Sequence, residues 1–200
     1  MIQTKGLNRL SLDKYYTKTN IVDICYNNII QKINVKKNDL IIEPSAGNGS
    51  FIKIIKKLTD NYLFYDTNPE NDEIIKQDFL SLNLDKLNDY HIIGNPPFGR
   101  QSSLAIKFIK HCKNAKSISF ILPKSFKKDS LKKHFPLNFH LELQIDLPKN
   151  SFLVNQKEHD VPCIFQIWKR KKEKRKVPKK LIPKNFIFVK KSEDHDISFR

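Results

Sequence analysis

Apolar residues along this chain switch repeatedly between two spacings, and the switches mark its elements. Ile21, Ile24, Cys25, Ile29, Ile30 and Ile33 recur at helical intervals, which predicts a helix behind a polar, basic approach segment over residues 1–20. The short apolar run at 39–43 predicts a buried strand. A turn over 44–49 holding Gly47 and Gly49 follows it, and then a helix from 50 to about 57. The alternation goes on with a strand at 62–65, a short helical turn at 70–76, a strand at 91–93, a helix at 102–112 and a strand at 117–122. Strands alternating with helices predict an α/β fold, a mostly parallel sheet with helices on both faces. Beyond residue 137 the pattern becomes strand-rich, at 139–147 and 161–168 with no helix between, which predicts a terminal antiparallel hairpin. Residues 186–189 read as one more strand, and the chain ends on strand-like residues 197–200. No internal repeat is visible.

Composition changes this picture in one respect. The 200 residues suit a single domain that buries its core without metal or disulfide staples. Their charge is less ordinary: 37 Lys and Arg stand against 21 Asp and Glu, a net +16, and such a field favours a polyanionic partner, nucleic acid first. Residues 169–200 hold 13 of the basic residues and 4 of the acidic ones. The stretch KRKKEKRKVPKK at 169–180 has too little apolar content to form a core. The division expected is therefore a catalytic domain over 1–168 and a basic extension over 169–200, a linker or binding tail. Cys25, Cys112 and Cys163 are odd in number and widely spaced, the six histidines have no metal-ligand spacing, and no metal is expected. No apolar run approaches the roughly 20 residues that span a bilayer. The expectation is an intracellular protein with no membrane partner.

Candidate chemistry begins at the turn after the first predicted strand, Glu43-Pro44-Ser45-Ala46-Gly47-Asn48-Gly49. Its glycines let the backbone approach a ligand closely. A dinucleotide fingerprint would need a third glycine where Ile52 stands, and Glu43 would repel a pyrophosphate. The loop instead suits a cationic cofactor without phosphate, and S-adenosylmethionine, with its ammonium and sulfonium, meets that description. Asp66, before Thr67 at the end of the next strand, is placed to accept from ribose hydroxyls. Asp78 can accept from an adenine amino group, with Phe79 packed on the ring face. Either aspartate alone reads as a turn former; in this order behind this loop they read as cofactor ligands.

The next strand runs into Asn95-Pro96-Pro97-Phe98. Two prolines stiffen the backbone, remove donors and leave carbonyls as acceptors. An exocyclic amino nitrogen such as adenine N6 is a poor nucleophile because its lone pair is delocalised into the ring. If the Asn95 side-chain oxygen and the Pro96 carbonyl each accept one of its N–H bonds, the nitrogen is drawn toward tetrahedral geometry and the lone pair is freed. Asn95 cannot act as a base, so the proton leaves to water. Phe98 would stack on the target base.

With EPSAGNGSF at 43–51, YDTNP at 65–69, QDF at 77–79 and NPPFG at 95–99, the chain resembles the amino-methylating class I methyltransferases, and within them the small adenine N6 enzymes acting on RNA or DNA. Tyr16 and Thr17, in DKYYTKTNIVDI, resemble that group's N-terminal element, whose threonine region contacts the cofactor carboxylate. LPKSF at 122–126, DLPKNSF at 146–152 and VPCIFQIW at 161–168 resemble its later strands. The resemblance implies a Rossmann-like class I methyltransferase fold. It implies cofactor contacts from Tyr16, Thr17, Glu43, Ser45, Ala46, Gly47, Gly49, Asp66, Thr67, Asp78, Phe79 and Asn95, and catalysis at Asn95, Pro96, Pro97 and Phe98. Phe98, Arg100, Lys124, Lys169, Arg170, Lys171 and Lys172 are the candidates for nucleic-acid contact. The DNA enzymes usually carry a large recognition domain for which there is no room here, which favours RNA, single strands, or a partner protein that supplies recognition or activation. Guanine N2 of RNA, a protein glutamine, and an idle cofactor- or nucleic-acid-binding subunit are the alternative readings.

Overall fold

The computed structural model describes residues 15–87, 89–177 and 184–198. In chain order it forms β1 (Tyr16–Thr17), α1 (Thr19–Lys32), β2 (Leu40–Glu43), α2 (Ile52–Leu58), β3 (Asn61–Asp66), β4 (Ile75–Lys76), β5 (Tyr90–Gly94), α3 (Ser103–His111), β6 (Ser117–Pro123), α4 (Asp129–Lys132), β7 (Phe139–Asp146), β8 (Phe152–Val154), β9 (Lys157–His159) and β10 (Cys163–Arg170). Seven strands make the main sheet, in the order β4-β3-β2-β5-β6-β10-β7. Neighbours from β4 to β6 pair parallel, and β10 pairs antiparallel with both β6 and β7. One reversed strand in an otherwise parallel sheet is the Rossmann-like arrangement expected.

Strand pleating explains the apolar runs. Successive side chains point to opposite faces, so Ile41, Ile93, Ile121 and Phe165 pack with Ile21, Cys25 and Ile29 of α1 and Ile55 of α2. Their neighbours Ile42, Ile92, Phe120 and Ile164 pack with Ala105, Phe108 and Ile109 of α3 on the other side. Strands covered on both faces read as continuous rather than alternating hydrophobic text. Among the described residues, no helix is long and apolar enough to cross a membrane.

Four expectations change. Residues 70–76 are shorter in helical character than expected: one turn closes from the Ile74 amide to the Asn71 carbonyl at 3.1 Å, with Asn71 Oδ1 accepting from the Glu73 amide at 2.9 Å, and Ile75 and Lys76 then pair with the end of β3. Between β7 and β10 lies a hairpin, β8 and β9, turned through Asn155 and Gln156 with φ of 49° and 62°. Without glycine, that turn carries little sequence signal. Residues 186–189 are not a strand, and Ile187 and Phe188 are 81 % and 76 % exposed. Of the strand-like end at 197–200, residues 199–200 lie outside the described residues and 197–198 form no strand.

The packed part of the chain also runs past Trp168. β10 continues to Arg170, and the Arg175 guanidinium donates to the carbonyls of Lys132, Phe135, Pro136 and Phe139 at 2.6–3.1 Å. It sits 5.3 Å from the centre of the Trp168 ring.

At the amino ends of the parallel strands, buried His91 faces Ser117 Oγ at 2.7 Å and Asp39 Oδ2 at 3.4 Å. Burial, and after it the Lys116 ammonium against the opposing pull of Asp39, holds the imidazole below its ordinary value. Burial alone would raise Asp39, but the Lys36 amide and Lys116 outweigh it and hold that carboxyl low. Both groups bind fewer protons folded than unfolded, so stability present above the ordinary histidine value of about 6.5 is lost as pH falls below it. The urea midpoint is therefore expected to drop between pH 7.5 and 5.5, and His91→Gln to flatten that drop. An equally steep drop in the variant would remove His91 from the cause.

Candidate active site

The chain leaves β2 toward β3 and β4 on one side and later fills β5 and β6 on the other. The order therefore reverses between β2 and β5, and in open α/β sheets ligands bind outside the carboxyl ends of the strands at such a point. Glu43 ends β2 and Gly94 ends β5. Glu43 is 1 % exposed, and its Oε2 has no hydrogen-bond partner. Burial, and then the charge of Asp66, pushes its carboxyl well above the usual range. A Cβ on Gly94 would come 3.3 Å from Glu43 Cγ, so the absence of a side chain there makes room for the carboxyl.

The glycine turn is tied to both neighbouring strands. Ser45 Oγ donates to the Asn95 carbonyl at 3.1 Å, and the Ala46 amide donates to the Tyr65 carbonyl at 2.9 Å. Gly47, at φ +56°, donates its amide to Asp66 Oδ2 at 2.8 Å, while Asp66 Oδ1 accepts from the Asn68 amide at 2.8 Å. Asp66 thus holds the loop in shape, and each oxygen keeps a further lone pair for a ligand hydroxyl. Thr67, exposed, follows it. The Tyr16 ring lies beside Gly47, 3.5 Å from where a Cβ would stand, and its hydroxyl donates to Glu70 Oε1 at 2.5 Å. Burial, then Glu70, pushes that phenol up.

Asp78 is exposed and caps a single 3-10 turn, accepting from the Leu80 amide at 2.9 Å. Phe79 is 1 % exposed, stacked on Phe108 with ring centres 5.6 Å apart and edge-on to His111. Its position one residue after Asp78 turns the ring into the core under α3.

Asn95 is held from β1. Its Nδ2 lies 3.4 Å from Thr17 Oγ1 and 3.5 Å from the Tyr15 carbonyl, whereas its Oδ1 is buried without a partner. Both acceptors stand on the nitrogen side, which orients the amide and leaves the oxygen without a partner. Thr17 owes its place to pairing with Phe152 of β8. Pro96 is buried, Pro97 exposed and Phe98 half-buried against the α1 side of the core. The Phe98 carbonyl accepts from Leu104 and Ala105 at 3.1 and 3.3 Å, which locks the tetrapeptide to the start of α3. Arg100 and Lys124, both exposed, flank this end of the sheet, Lys124 Nζ being 3.8 Å from Asp146.

Lys169, Arg170, Lys171 and Lys172 are not brought to this crevice. β10 runs backwards, so Lys169 stands opposite Ser117 and Arg170 bonds the Lys116 carbonyl, whereas Gly94 is level with Phe120. Three residue steps of strand put the start of this basic run about 10 Å from the level of Gly94, toward the opposite end of the sheet. The sequence reading also missed contributors: the Tyr15 carbonyl, Gly94, Glu70 and the hairpin of β8 and β9 that carries β1. Tyr15 itself packs edge-on to Phe152. Those contacts join residues more than 50 positions apart, beyond the reach of any local pattern.

A seven-stranded sheet with one reversed strand, and an acidic glycine crevice at its switch point, give the chain a Rossmann-like methyltransferase fold. The fold is shared with the 23S rRNA methyltransferase ErmE at TM-score 0.60 and 12 % identity, over 80 % of this chain and 71 % of that one. It is shared too with the methyltransferase subunit of a type I restriction-modification system from Streptococcus thermophilus, at TM-score 0.58 and 15 % identity over 79 % and 45 %. In sequence, the chain is similar to an rRNA adenine N-6-methyltransferase from Escherichia coli, 27 % identical over 171 residues that span 72 % of this chain and 69 % of the relative. It is likewise similar to ribosomal RNA small subunit methyltransferase A of Mycoplasmopsis pulmonis, 28 % identical over 71 % and 70 %. No family profile matches the chain.

Proposed function

We propose that this protein transfers a methyl group from S-adenosylmethionine to the N6 amino group of adenine in RNA. The observation that carries the reading is a pair of buried acceptors without partners, Glu43 Oε2 and Asn95 Oδ1, at the ends of the adjacent strands β2 and β5. Leaving a buried polar atom unpaired costs on the order of 1–3 kcal/mol. Acceptors of this kind at a switch point fit a ligand that donates. The likeness to rRNA adenine N6-methyltransferases in sequence supports the same substrate class.

The crevice fits the cofactor. Glu43 is the acidic group for its positive charge, Ser45, Ala46, Gly47 and Gly49 give close backbone approach, and Asp66 and Asp78 retain acceptor capacity for hydroxyl and amino groups. Bound S-adenosylmethionine supplies an electrophilic methyl group on its sulfonium. The chain's own part is to prepare the nucleophile. Asn95 Oδ1 would accept one N–H of the adenine amino group and the Pro96 carbonyl the other, freeing the nitrogen lone pair to act as the nucleophile toward that methyl group. Phe98 stacks on the flipped base, worth about 1–3 kcal/mol. Because the amide of Asn95 is not basic, the proton passes to water. Chemistry of this kind belongs inside the cell.

The test is methyl transfer from labelled S-adenosylmethionine to separate pools of ribosomal RNA, messenger RNA, single-stranded DNA and duplex DNA, with nucleosides identified by mass spectrometry. Label in N6-methyladenine from an RNA pool is expected. Label in N2-methylguanine, in DNA alone or in protein would overturn the reading. Label in ribosomal particles but not in naked RNA would add a protein partner that supplies recognition.

A further inference from the structure

The crevice just described is acidic, with Glu43, Asp66 and Asp78 at its wall and Glu70 beside Tyr16. Such a wall attracts a cation and repels phosphate. In a chain of net +16, the charge that holds a polyanion must therefore sit elsewhere, and the fold shows where. Arg170 ends β10 at the far end of the sheet, and with residues 171–174 it bounds an open groove of about 530 Å³, lined by Leu137, Asn138, Arg170, Lys171, Lys172 and Lys174.

The groove is built, not a passing arrangement of a loose tail. The Lys171 amide donates to the Asn138 carbonyl at 2.8 Å, and the Arg175 amide to that of Leu137 at 2.8 Å. The Arg175 side chain then closes four further hydrogen bonds onto the turn before β7 and stacks on buried Trp168. A cation committed wholly to backbone carbonyls and an indole face serves to pin the segment, leaving its neighbours to face outward. Arg170, Lys171, Lys172 and Lys174 make the lining of the groove basic. Two acidic groups interrupt it: Glu142, paired with Lys171 at 2.7 Å, and Glu173.

We propose that this far-end groove is a second phosphate-binding surface for the RNA substrate, separate from the crevice where the base is methylated. The inference rests on the RNA reading above. Its consequence is bivalent engagement: one part of a folded RNA offers its adenine at Asn95 while another part lays its backbone along 170–174, around the molecule from the first. Binding of large folded RNA then gains from both contacts, and a fragment confined to the crevice gains from one.

The experiment uses the full chain and a triple variant, Lys171→Gln, Lys172→Gln and Lys174→Gln, all exposed side chains whose removal leaves Arg175 in place. The probes are ribosomal RNA and an adenine-centred trinucleotide, with S-adenosylmethionine affinity as the control for folding. For ribosomal RNA, affinity is expected to fall roughly tenfold near 0.15 M salt, and the slope of log affinity against log salt to flatten by about two. S-adenosylmethionine affinity stays as in the parent. Unchanged slope and affinity for ribosomal RNA would overturn the proposal. So would an equal proportional loss of binding for the trinucleotide, which would put these lysines at the crevice. A loss seen with intact ribosomal particles but not with naked RNA would overturn it in favour of an acidic protein partner. Since the readout is binding, it stands apart from the methylation assay: no methylation in any pool would sink the function, while the salt slope would still decide the surface.

Discussion

Asn95→Ala is expected to lower the rate of methyl transfer about 10²–10³-fold, the usual cost of removing one preorganised polar contact to a reacting centre, while S-adenosylmethionine binds almost as before. The reasoning is geometric. Asn95 Oδ1 is the buried acceptor at the end of β5 that has no partner of its own, and alanine deletes it without touching the glycine turn or Glu43. The loss should fall on kcat more than on KM, because the bond to the amino group matters most as that nitrogen becomes tetrahedral. Thr17→Val separates orientation from contact: Thr17 Oγ1 meets Asn95 Nδ2 at 3.4 Å, so valine frees the amide to turn, and turnover should drop less than in Asn95→Ala and return with Thr17→Ser. Single-turnover rates with saturating cofactor provide the check. Unchanged turnover in Asn95→Ala would remove the tetrapeptide from the mechanism.

Glu43→Gln should weaken S-adenosylmethionine by about 10- to 100-fold, in keeping with the roughly 1.5–3 kcal/mol of a hydrogen bond involving a charged group. Two pH effects accompany it. Burial, then Asp66, raises the carboxyl in the empty protein, so between the ordinary glutamate value and the raised one the folded state holds a proton that the unfolded state has released. Ionising Glu43 therefore destabilises the empty fold as pH rises through that window. A bound cation reverses the preference, so cofactor affinity should climb with pH in the parent and stay flat in Glu43→Gln. The same variant should melt at a higher temperature than the parent when empty, since it removes the buried charge. Calorimetric titration at several pH values and thermal unfolding without cofactor measure both. Equal affinity in parent and variant would mean that Glu43 is only a buried structural carboxyl.

Long apolar periodicity was the most legible feature. α1, α2, α3 and strands β2, β3, β5, β6, β7 and β10 stand within a few residues of where the pattern predicts them, because both sheet faces are covered and each buried strand writes a continuous run. Short elements were not legible. β4 has two residues, and its only local signals, Asn71 and a solitary buried Ile74, read as easily as a helical turn. The pairing of β1 with β8 joins residues about 135 positions apart, and neither strand has enough apolar text to announce itself. In the candidate site, Glu43, Gly47, Asp66, Asp78 and Asn95 could be picked from residue type and order, since each chemical role admits few side chains.

What the sequence determined by itself was therefore residue type, order and class: an acidic glycine turn after one strand, an Asn-Pro-Pro-Phe segment after another, and an alternating α/β sheet with excess positive charge. Tertiary structure decided direction. It turned Phe79 inward, because a core position under α3 outweighs the pull of an exposed neighbour. It oriented the Asn95 amide through Thr17 and Tyr15, a contact no local spacing encodes. And because β10 runs against its neighbours, it carried the basic residues that follow Trp168 to the end of the sheet opposite the crevice, a consequence of strand polarity that composition cannot express.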